Sequence, residues 1–216
     1  MALNVSEVVM GRLLIIGTGG QGKVVLDSAK YYYDSITFMT NDKKSLGING
    51  YPIIYEQEIT LEKILNNYDE IIVAIGNNNA RLNISLEYES KGLKLATIIH
   101  PKAVVSDSAV IGSGTAIFAN AVINPSAIIG KACIINTGVI IEHDCILENG
   151  VHISPNAVMG GTVFIGEKTW VCVGSSIANN IKIGNNSIIG AGAVIIKDIP
   201  NKVLAAGVPA KIKKTI

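Results

Sequence analysis

An aliphatic side chain recurs at every sixth position from Val105 to Ile195 without a gap. The sixteen positions of this series are Val105, Ile111, Ile117, Ile123, Ile129, Ile135, Ile141, Leu147, Ile153, Met159, Ile165, Val171, Ile177, Ile183, Ile189 and Ile195. A helix repeats every 3.6 residues and a strand every 2, so neither keeps every sixth side chain equivalent. A six-residue structural unit does so when it is stacked many times, and the pattern therefore predicts a solenoid.

The residues between these positions describe the unit. The aliphatic is often followed by a residue that tolerates tight corners and positive φ, namely Gly112, Gly130, Gly160, Gly166, Gly184, Gly190, Asn124 and Asn136. Four positions after the aliphatic stands a small or β-branched residue: Thr115, Ala121, Ala127, Cys133, Val139, Cys145, Val151, Ala157, Val163, Thr169, Ser175, Ile181, Ser187 and Ala193. Each unit is therefore expected to form a short flat strand and a corner, with one large and one small side chain turned inward.

This pattern resembles the hexapeptide repeat of left-handed parallel β-helix proteins, whose triangular coils use three units each. The sixteen units then predict about five coils. A β-sandwich with accidental spacing would instead need turn clusters every 8–12 residues. We therefore predict a left-handed parallel β-helix for this part of the chain.

The first part of the chain has the pattern of an α/β domain. Strands are predicted over residues 12–16, 35–40, 70–75 and 95–99, and helices over 24–33, 61–68 and 80–91. Arranged in this order, they form a Rossmann-like parallel βαβαβ half, with ligand-binding loops at the strand ends. A glycine turn at 17–23 follows the first strand and precedes a helix, which is where backbone N–H groups can hold a phosphate.

The glycine turn reads Gly-Thr-Gly-Gly-Gln-Gly-Lys and matches the G-x-G-x-x-G fingerprint of dinucleotide sites, with Asp42 twenty residues beyond Gly22. A complete dinucleotide site, however, needs a second mononucleotide-binding half. The six-residue repeats, or hexads, begin before the chain could form that half. Three interpretations stay open: a nucleotide diphosphate-sugar site, which we favour, an NAD site, or a domain that only packs.

The expected division of the chain has four parts. Residues 1–11 are expected to form a disordered tail or a cloning remnant, 12–99 the Rossmann-like sugar-nucleotide domain, 100–200 the β-helix domain and 201–216 a C-terminal cap. The repeat breaks after Ile195 at a segment that contains Pro200, which cannot donate to a strand ladder. We expect the cap to protect the open edge of the last coil.

Composition narrows the function classes. Of the 216 residues 49% are hydrophobic and the mean hydropathy is +0.41, but no run of about 18 apolar residues predicts a membrane span. A net charge of +1 argues against a general nucleic-acid binder. The three cysteines have no metal-ligand spacing, and Cys133 and Cys145 fall on inward positions, so we expect packing roles, no metal site and a reduced, cytoplasmic setting.

Histidine supplies the candidate chemistry. His143 falls on an outward position, and because a histidine side chain titrates close to neutral pH it is the best available general base. Adjacent strand side chains point to opposite faces, so Asp144 reaches the imidazole only where a corner bends the chain. A carboxylate there would fix the tautomer and raise the basicity of the ring.

A second histidine departs from the hexad pattern. His152 stands where other units carry Val, Ile or Phe. A polar ring at this position suggests either a contact with a ligand or a residue of the β-helix wall whose hydrogen bonds are made within the protein. Gly160 and Gly161 follow, and paired glycines let a ligand approach a backbone N–H that can stabilise an oxyanion. Direct attack by the acceptor, with His143 as base, is the simplest mechanism.

These residues resemble a known family from Leu13 to Lys213: the bacterial sugar O- and N-acyltransferases of the sialic-acid O-acetyltransferase type, which include the N-acetyltransferases of UDP-4-amino sugars in bacillosamine synthesis. The motifs that carry the resemblance are the glycine turn, residues 72–78 with Arg81, Ile99-His100-Pro101, the hexads, Glu142-His143-Asp144, His152, Gly161 and residues 207–211.

The resemblance implies a homotrimer of parallel β-helices with acetyl-CoA in the groove between two prisms. It implies that His143 is the general base and that Asp144 supports it. For acetyl-CoA it implies contacts with His152 and the backbone of Gly161 at the thioester, and with Val173 and Ala191 along the pantetheine arm.

The resemblance also assigns the amino-sugar nucleotide to the N-terminal domain. Its pocket would be lined by Gly19, Gly20, Gln21, Asn41, Asp42, Gly76 and Asn77. Many relatives carry His where this chain has Gln21, which leaves uridine specificity open.

Three functions remain to be compared. The first is acetyl-CoA-dependent N-acetylation of a nucleotide-linked 4-amino-4,6-dideoxy sugar, with a UDP-sugar favoured, in bacterial surface glycan or polysaccharide synthesis. The second is O-acetylation of a sialic acid or polysaccharide sugar, because the hexads do not distinguish amine from hydroxyl acceptors. The third is a non-catalytic trimeric scaffold or binding protein.

Overall fold

The computed structural model of the chain describes residues 11–43, 45, 48 and 50–216. The tail predicted over residues 1–11 lies outside the described residues, except for its last residue.

The N-terminal domain is built around a parallel sheet, which in the described residues has four strands in the order β3-β2-β1-β4. The strands are β1 (Arg12–Ile16), β2 (Ser35–Thr40), β3 (Ile53–Tyr55) and β4 (Glu70–Val73), and the helices are α1 (Gly20–Ala29), a 3-10 turn (Glu56–Glu58), α2 (Leu61–Asn67) and α3 (Asn78–Ser90). The predicted α/β arrangement is confirmed. Strand β3 was not predicted, because its apolar run is only three residues long.

Residues 98–195, all of which are described, form two-residue strands at six-residue intervals. These are β5 (Ile98–Ile99), β6 (Val104–Val105), β7 (Val110–Ile111), β8 (Ala116–Ile117), β9 (Val122–Ile123), β10 (Ile128–Ile129), β11 (Ile134–Ile135), β12 (Ile140–Ile141), β13 (Ile146–Leu147), β14 (His152–Ile153), β15 (Val158–Met159), β16 (Phe164–Ile165), β17 (Trp170–Val171), β18 (Ser176–Ile177), β19 (Lys182–Ile183), β20 (Ile188–Ile189) and β21 (Val194–Ile195). From β5 to β18 each strand pairs in parallel with the strand three units later, as Ile128 does with Ile146. The hexapeptide-repeat β-helix is therefore confirmed.

Three sheets form the faces of the prism. The eight-stranded sheet has the order β23-β22-β20-β17-β14-β11-β8-β5, the six-stranded sheet β21-β18-β15-β12-β9-β6 and the five-stranded sheet β19-β16-β13-β10-β7. Here β22 is Val203–Ala206 and β23 is Lys211–Thr215. Strand β22 adds a parallel rung after the last hexad and β23 pairs with it antiparallel, so β23 carries the free edge and three of its residues are lysines. Charged side chains on an edge strand discourage pairing with another chain.

The inward positions predicted from the sequence are confirmed. From Ile117 to Ile195 every repeated large aliphatic is at most 4% exposed. The polar residues among the small positions join successive coils: the Thr169 hydroxyl donates to the Gly184 carbonyl oxygen at 2.6 Å, and the Cys133 thiol donates to the Glu148 carbonyl oxygen at 3.2 Å. Burial raises the pKa of Cys133 to about 11, as suits a thiol with a packing role.

The predicted conformation of the glycines after the aliphatic is wrong. Positive φ occurs two residues later in the unit, at positions such as Asn120, Asp144 and Asn156. The glycines after the aliphatic serve close packing of the coils instead. A Cβ on Gly112 would lie 2.5 Å from the carbonyl carbon of Gly130 in the next coil.

The strand predicted over residues 95–99 divides between the two domains. Leu95 forms a parallel bridge with Ile71 of the N-terminal sheet. Strand β5 instead pairs with β8 and starts the first coil of the β-helix. The hexad pattern therefore begins one unit earlier than the series that starts at Val105.

The N-terminal domain packs on the eight-stranded sheet, and Arg81 of α3 is at the centre of the contact. The Arg81 side chain is 1% exposed. It donates to the carbonyl oxygens of Ala132 at 2.7 Å and Gly150 at 2.8 Å on the β-helix, and to those of Ile75 at 3.0 Å and Gly76 at 3.2 Å. Burial lowers the pKa of Arg81 to about 10, so the guanidinium is charged at neutral pH.

Candidate active site

His143 and Asp144 lie at the corner between β12 of the six-stranded sheet and β13 of the five-stranded sheet. Asp144 has φ 59°, so the chain turns here as the predicted contact requires. The imidazole Nδ1 lies 2.8 Å from a carboxylate oxygen of Asp144, and both side chains are more than half exposed. With its proton on Nδ1, the ring would present Nε2 as a proton acceptor.

Gly161 lies against the same imidazole, one coil further along. A Cβ on Gly161 would stand 2.5 Å from Cε1 and 2.6 Å from Nε2 of His143. Thr162 N–H donates to the His143 carbonyl oxygen at 2.9 Å, which keeps the two corners in register. The structure thus brings together three predicted site residues, His143, Asp144 and Gly161, and glycine is needed because the ring occupies the space of a side chain.

His152 lies elsewhere, on the outer side of the eight-stranded sheet. Its ring stacks on Trp170, with the centroids 5.7 Å apart and the planes at 11°. Burial lowers the pKa of His152 to about 4, and the charge of Arg81 adds to this shift, so the ring is neutral at pH 7. Its Nε2 is buried without a hydrogen-bond partner in the described part of the chain. The contact between His152 and a thioester therefore remains a prediction.

Val173 and Ala191 mark a third location. They occupy equivalent corners between the eight-stranded and six-stranded sheets, one coil apart, and both are exposed. Gly192 N–H donates to the Val173 carbonyl oxygen at 2.9 Å. The two residues line one edge of the prism, as a long extended ligand arm would require.

The glycine turn contains two kinds of glycine. Gly17 has φ 114° and a Cβ there would stand 2.7 Å from the Ala74 carbonyl oxygen, while a Cβ on Gly22 would collide with the Gly17 carbonyl oxygen. Gly19 and Gly20 have no atom within 4 Å of an added Cβ, and both are exposed. Close packing therefore explains why Gly17 and Gly22 are glycines. It does not explain Gly19 and Gly20, which lie at the N-terminus of α1.

The remaining predicted residues of the nucleotide pocket follow the strands. Gly19 to Gln21 follow β1, Asn41 and Asp42 follow β2, and Gly76 and Asn77 follow β4. Because these strands are parallel, all the loops meet at the carboxyl edge of one sheet. The side chain of Asn77 also caps α3, since it accepts from Ala80 N–H at 3.0 Å, which leaves its backbone for any ligand contact.

Sequence reasoning gave no individual role to two residues of this region, Arg81 and Trp170. Arg81 appeared only as part of a motif, and its burial follows from domain packing. Trp170 occupies an outward hexad position, and its aromatic type was the available signal. Within the described ranges no three His, Cys, Asp or Glu side chains converge to hold a metal ion, and no helix is long and apolar enough to span a bilayer.

Comparison with known proteins matches both parts of the chain. A family model described as the PglD N-terminal domain matches residues 12–87, and one described as bacterial transferase hexapeptide (six repeats) matches residues 162–197. The UDP-N-acetylbacillosamine N-acetyltransferase of Bacillus subtilis (strain 168) is 39% identical over 116 residues, 51% of this chain and 52% of that protein. Three other curated relatives, two of them galactoside O-acetyltransferases, are spanned over only 26% to 28% of their length.

Solved structures match over nearly the whole chain. A mutant of the perosamine N-acetyltransferase from Caulobacter crescentus, in complex with CoA and GDP-perosamine, is 34% identical and has a TM-score of 0.90, covering 97% of this chain and 100% of that one. The acetyltransferase domain of PglB from Neisseria gonorrhoeae FA1090, in complex with acetyl coenzyme A, is 38% identical and has a TM-score of 0.86, covering 93% and 98%.

Proposed function

Because this chain belongs to the hexapeptide-repeat sugar acetyltransferases that carry a PglD-type N-terminal domain, we propose that it transfers the acetyl group of acetyl-CoA to the amine of a nucleotide-linked 4-amino-4,6-dideoxy sugar. The observation that carries the proposal is the contact of 2.8 Å between His143 Nδ1 and Asp144, beside Gly161. This arrangement supplies an oriented base at an exposed corner of the β-helix.

The proposed reaction has two steps: attack of the amine on the thioester, and breakdown of the resulting tetrahedral intermediate. The acceptor amine attacks the thioester carbonyl carbon while His143 Nε2 takes its proton. Asp144 stabilises the imidazolium, and the backbone N–H of Gly161 is proposed to stabilise the oxyanion. When the C–S bond breaks, the imidazolium returns the proton to the CoA thiolate, so amide and free thiol are the products.

The position of the base favours a site shared between subunits. The N-terminal domain packs on the eight-stranded sheet, whereas His143 lies at the corner formed by the other two sheets. A sugar held by the domain therefore faces away from the His143 of its own chain. The outward hexad positions of those two sheets expose apolar side chains that a neighbouring prism could cover: Val104, Val110, Ile128, Ile146 and Val158.

We predict that the active protein is a homotrimer, as the family resemblance implies. In the proposed trimer each His143 corner lies beside the domain of a neighbour, and the exposed apolar positions are buried between prisms. Light scattering of the purified protein is expected to give three times the mass of the chain. A monomer with full acetyltransferase activity would refute the shared site.

The amino-sugar nucleotide is proposed to bind at the carboxyl edge of the N-terminal sheet. Gly19 and Gly20 have the open backbone that a diphosphate requires, and the N-terminus of α1 attracts negative charge. We favour a UDP-sugar from the resemblance to the bacillosamine enzymes. The GDP-perosamine bound by the Caulobacter relative makes GDP the alternative base, and competition of the reaction by free UDP and free GDP separates the two.

Gly19→Val is expected to separate binding of the two substrates. A Cβ at this position meets no protein atom within 4 Å, and φ −77° suits any residue, so the variant should fold. It should block close approach to a phosphate and weaken sugar-nucleotide affinity by at least about tenfold, because one hydrogen bond to a charged group contributes about 1.5–3 kcal/mol. Isothermal titration with the sugar nucleotide and with CoA separately measures the difference, and CoA affinity should not change.

Gly22→Ala is the matched control within the same turn. Its methyl group would collide with the Gly17 carbonyl oxygen, so we expect lower thermal stability instead of a selective loss of one substrate. Unchanged sugar-nucleotide affinity in a folded Gly19→Val protein would remove the basis for assigning this domain to substrate binding.

The activity itself is tested by free-thiol release. The protein is incubated with acetyl-CoA and a panel of UDP- and GDP-linked amino sugars, and thiol release should require a 4-amino sugar. The galactoside O-acetyltransferases among the partial relatives favour O-acetylation as the second candidate, so hydroxylated sugars and sialic acid belong in the panel. Transfer to the hydroxylated sugars alone would replace the N-acetyl proposal.

A further inference from the structure

A row of outward-facing side chains runs along the eight-stranded sheet, and the N-terminal domain covers only part of it. Ala116 and Ile134 are buried in one cluster with the core of that domain. His152 comes next in the row and is half-buried. Trp170 follows, and 41% of its surface is exposed. The row therefore emerges from beneath the domain at Trp170.

The carboxyl edge of the N-terminal sheet faces this emerging part of the row. Asn78, which follows the loop after β4, donates its side-chain amide to the carbonyl oxygens of Lys168 at 2.9 Å and Thr169 at 3.3 Å. The loop residues Gly76 and Asn77 are thereby held close to the strand that begins with Trp170. The loops proposed to bind the diphosphate open at the same edge.

The Trp170 indole is held in place by its neighbours. One side stacks on the His152 ring, with the planes at 11°. Its Nε1–H donates to the hydroxyl of Ser154 at 2.8 Å, and Ser154 is buried. An exposed aromatic ring that is already ordered loses little side-chain entropy when a ligand packs on it. Such a ring is a pre-formed apolar surface for a ligand.

We propose that Trp170 is the apolar wall that receives the sugar ring of the nucleotide-linked acceptor, with His152 and Ser154 holding the indole. This inference rests on the proposed function, because a diphosphate at Gly19 and Gly20 directs its hexose outward from the same edge. A 4,6-dideoxy hexose presents C–H groups and a C6 methyl group, which pack well on an aromatic face. Trp170 then favours the deoxy sugar over its 6-hydroxyl analogue by about tenfold or more in kcat/KM.

The chain contains one tryptophan, so its fluorescence reports on this position alone. The wild-type protein is titrated with a UDP- or GDP-linked 4-amino-4,6-dideoxy hexose and with the free nucleoside diphosphates, all without CoA. We expect a saturable change in intensity or emission maximum with the sugar nucleotide and none with UDP or GDP. An equal change with the free nucleotide overturns the proposal. So does an unchanged signal with a sugar nucleotide that titration calorimetry shows to bind.

Two variants extend the test to turnover. Trp170→Ala should raise the KM for the sugar nucleotide at least about tenfold, since one buried aromatic face contributes this much, and should raise it more than the KM for acetyl-CoA. Trp170→Phe should restore the sugar KM to within about threefold of wild type. An unchanged sugar KM in Trp170→Ala overturns the inference. The fluorescence titration does not depend on turnover. A wild-type protein whose Trp170 fluorescence changes on binding the sugar nucleotide, but which releases no thiol, would therefore fail the proposed function and leave this inference supported.

Discussion

His143→Ala is expected to lower kcat by about 10²- to 10⁴-fold, the usual contribution of a general base. The loss should fall on kcat and leave substrate affinity nearly unchanged, because His143 is proposed to act on the amine during attack. Folding should be intact, since the side chain is more than half exposed and the inward positions around it are unaffected. Steady-state kinetics of thiol release, with a thermal melt of the same preparation, measures both effects.

Glu142→Gln is the matched control on the other side of the histidine. Its carboxylate accepts from the backbone N–H of His143 at 3.3 Å, whereas the carboxylate of Asp144 contacts the ring nitrogen Nδ1. We expect the kcat of Glu142→Gln to stay within about threefold, and that of Asp144→Asn to fall further because the ring loses its orienting acceptor. Activity of His143→Ala within about threefold of wild type would contradict the assignment of the base.

Arg81→Met should have the largest effect on stability. The guanidinium makes hydrogen bonds to both domains, and each bond from a charged donor stabilises by about 1.5–3 kcal/mol. Methionine fills much of the volume but leaves buried carbonyl oxygens of Ala132 and Gly150 without their donor. We expect the free energy of unfolding to fall by about 3 kcal/mol or more, measured by urea denaturation.

Lys131→Met is the matched control, since Lys131 also joins α3 to the β-helix. Its ammonium pairs with Glu89 at 2.8 Å, but both side chains are substantially exposed, so the loss should be about 1 kcal/mol or less. Arg81→Lys keeps the charge with fewer donors and should fall between the two. A urea midpoint for Arg81→Met equal to that for Lys131→Met would show that the buried bonds do not stabilise the domain contact.

The β-helix could be predicted from the sequence because each coil is specified by the same six-residue repeat. Every coil repeats the same inward contacts, so the burial of Ile141 or Cys145 follows from its place in the six-residue unit. The conformation of the corner was harder to predict. Glycine follows the aliphatic in many units because a Cβ would strike the next coil, whereas positive φ falls two residues later on residues such as Asp144 and Asn156. A glycine or asparagine in the sequence does not by itself show whether the position needs close packing against the next coil or a positive φ.

The candidate site was predictable only where it follows the repeat. His143 and Gly161 are eighteen positions apart, which is one coil, so their contact is implied once three units per coil are assumed. The neighbours of His152 were not implied in this way. Its burial depends on how far the N-terminal domain extends over the eight-stranded sheet, and its low pKa depends on that burial and on Arg81.

The sequence by itself determined the β-helix, the parallel α/β domain and the His143 corner, because periodic burial and strand-turn-helix order are encoded in neighbouring residues. The tertiary structure alone decided the face on which the domain packs, through buried hydrogen bonds from Arg81 to coils 51 and 69 positions away. It also decided that Trp170 stays exposed at the end of the covered row. These features arise from contacts between the domains, which no local pattern specifies.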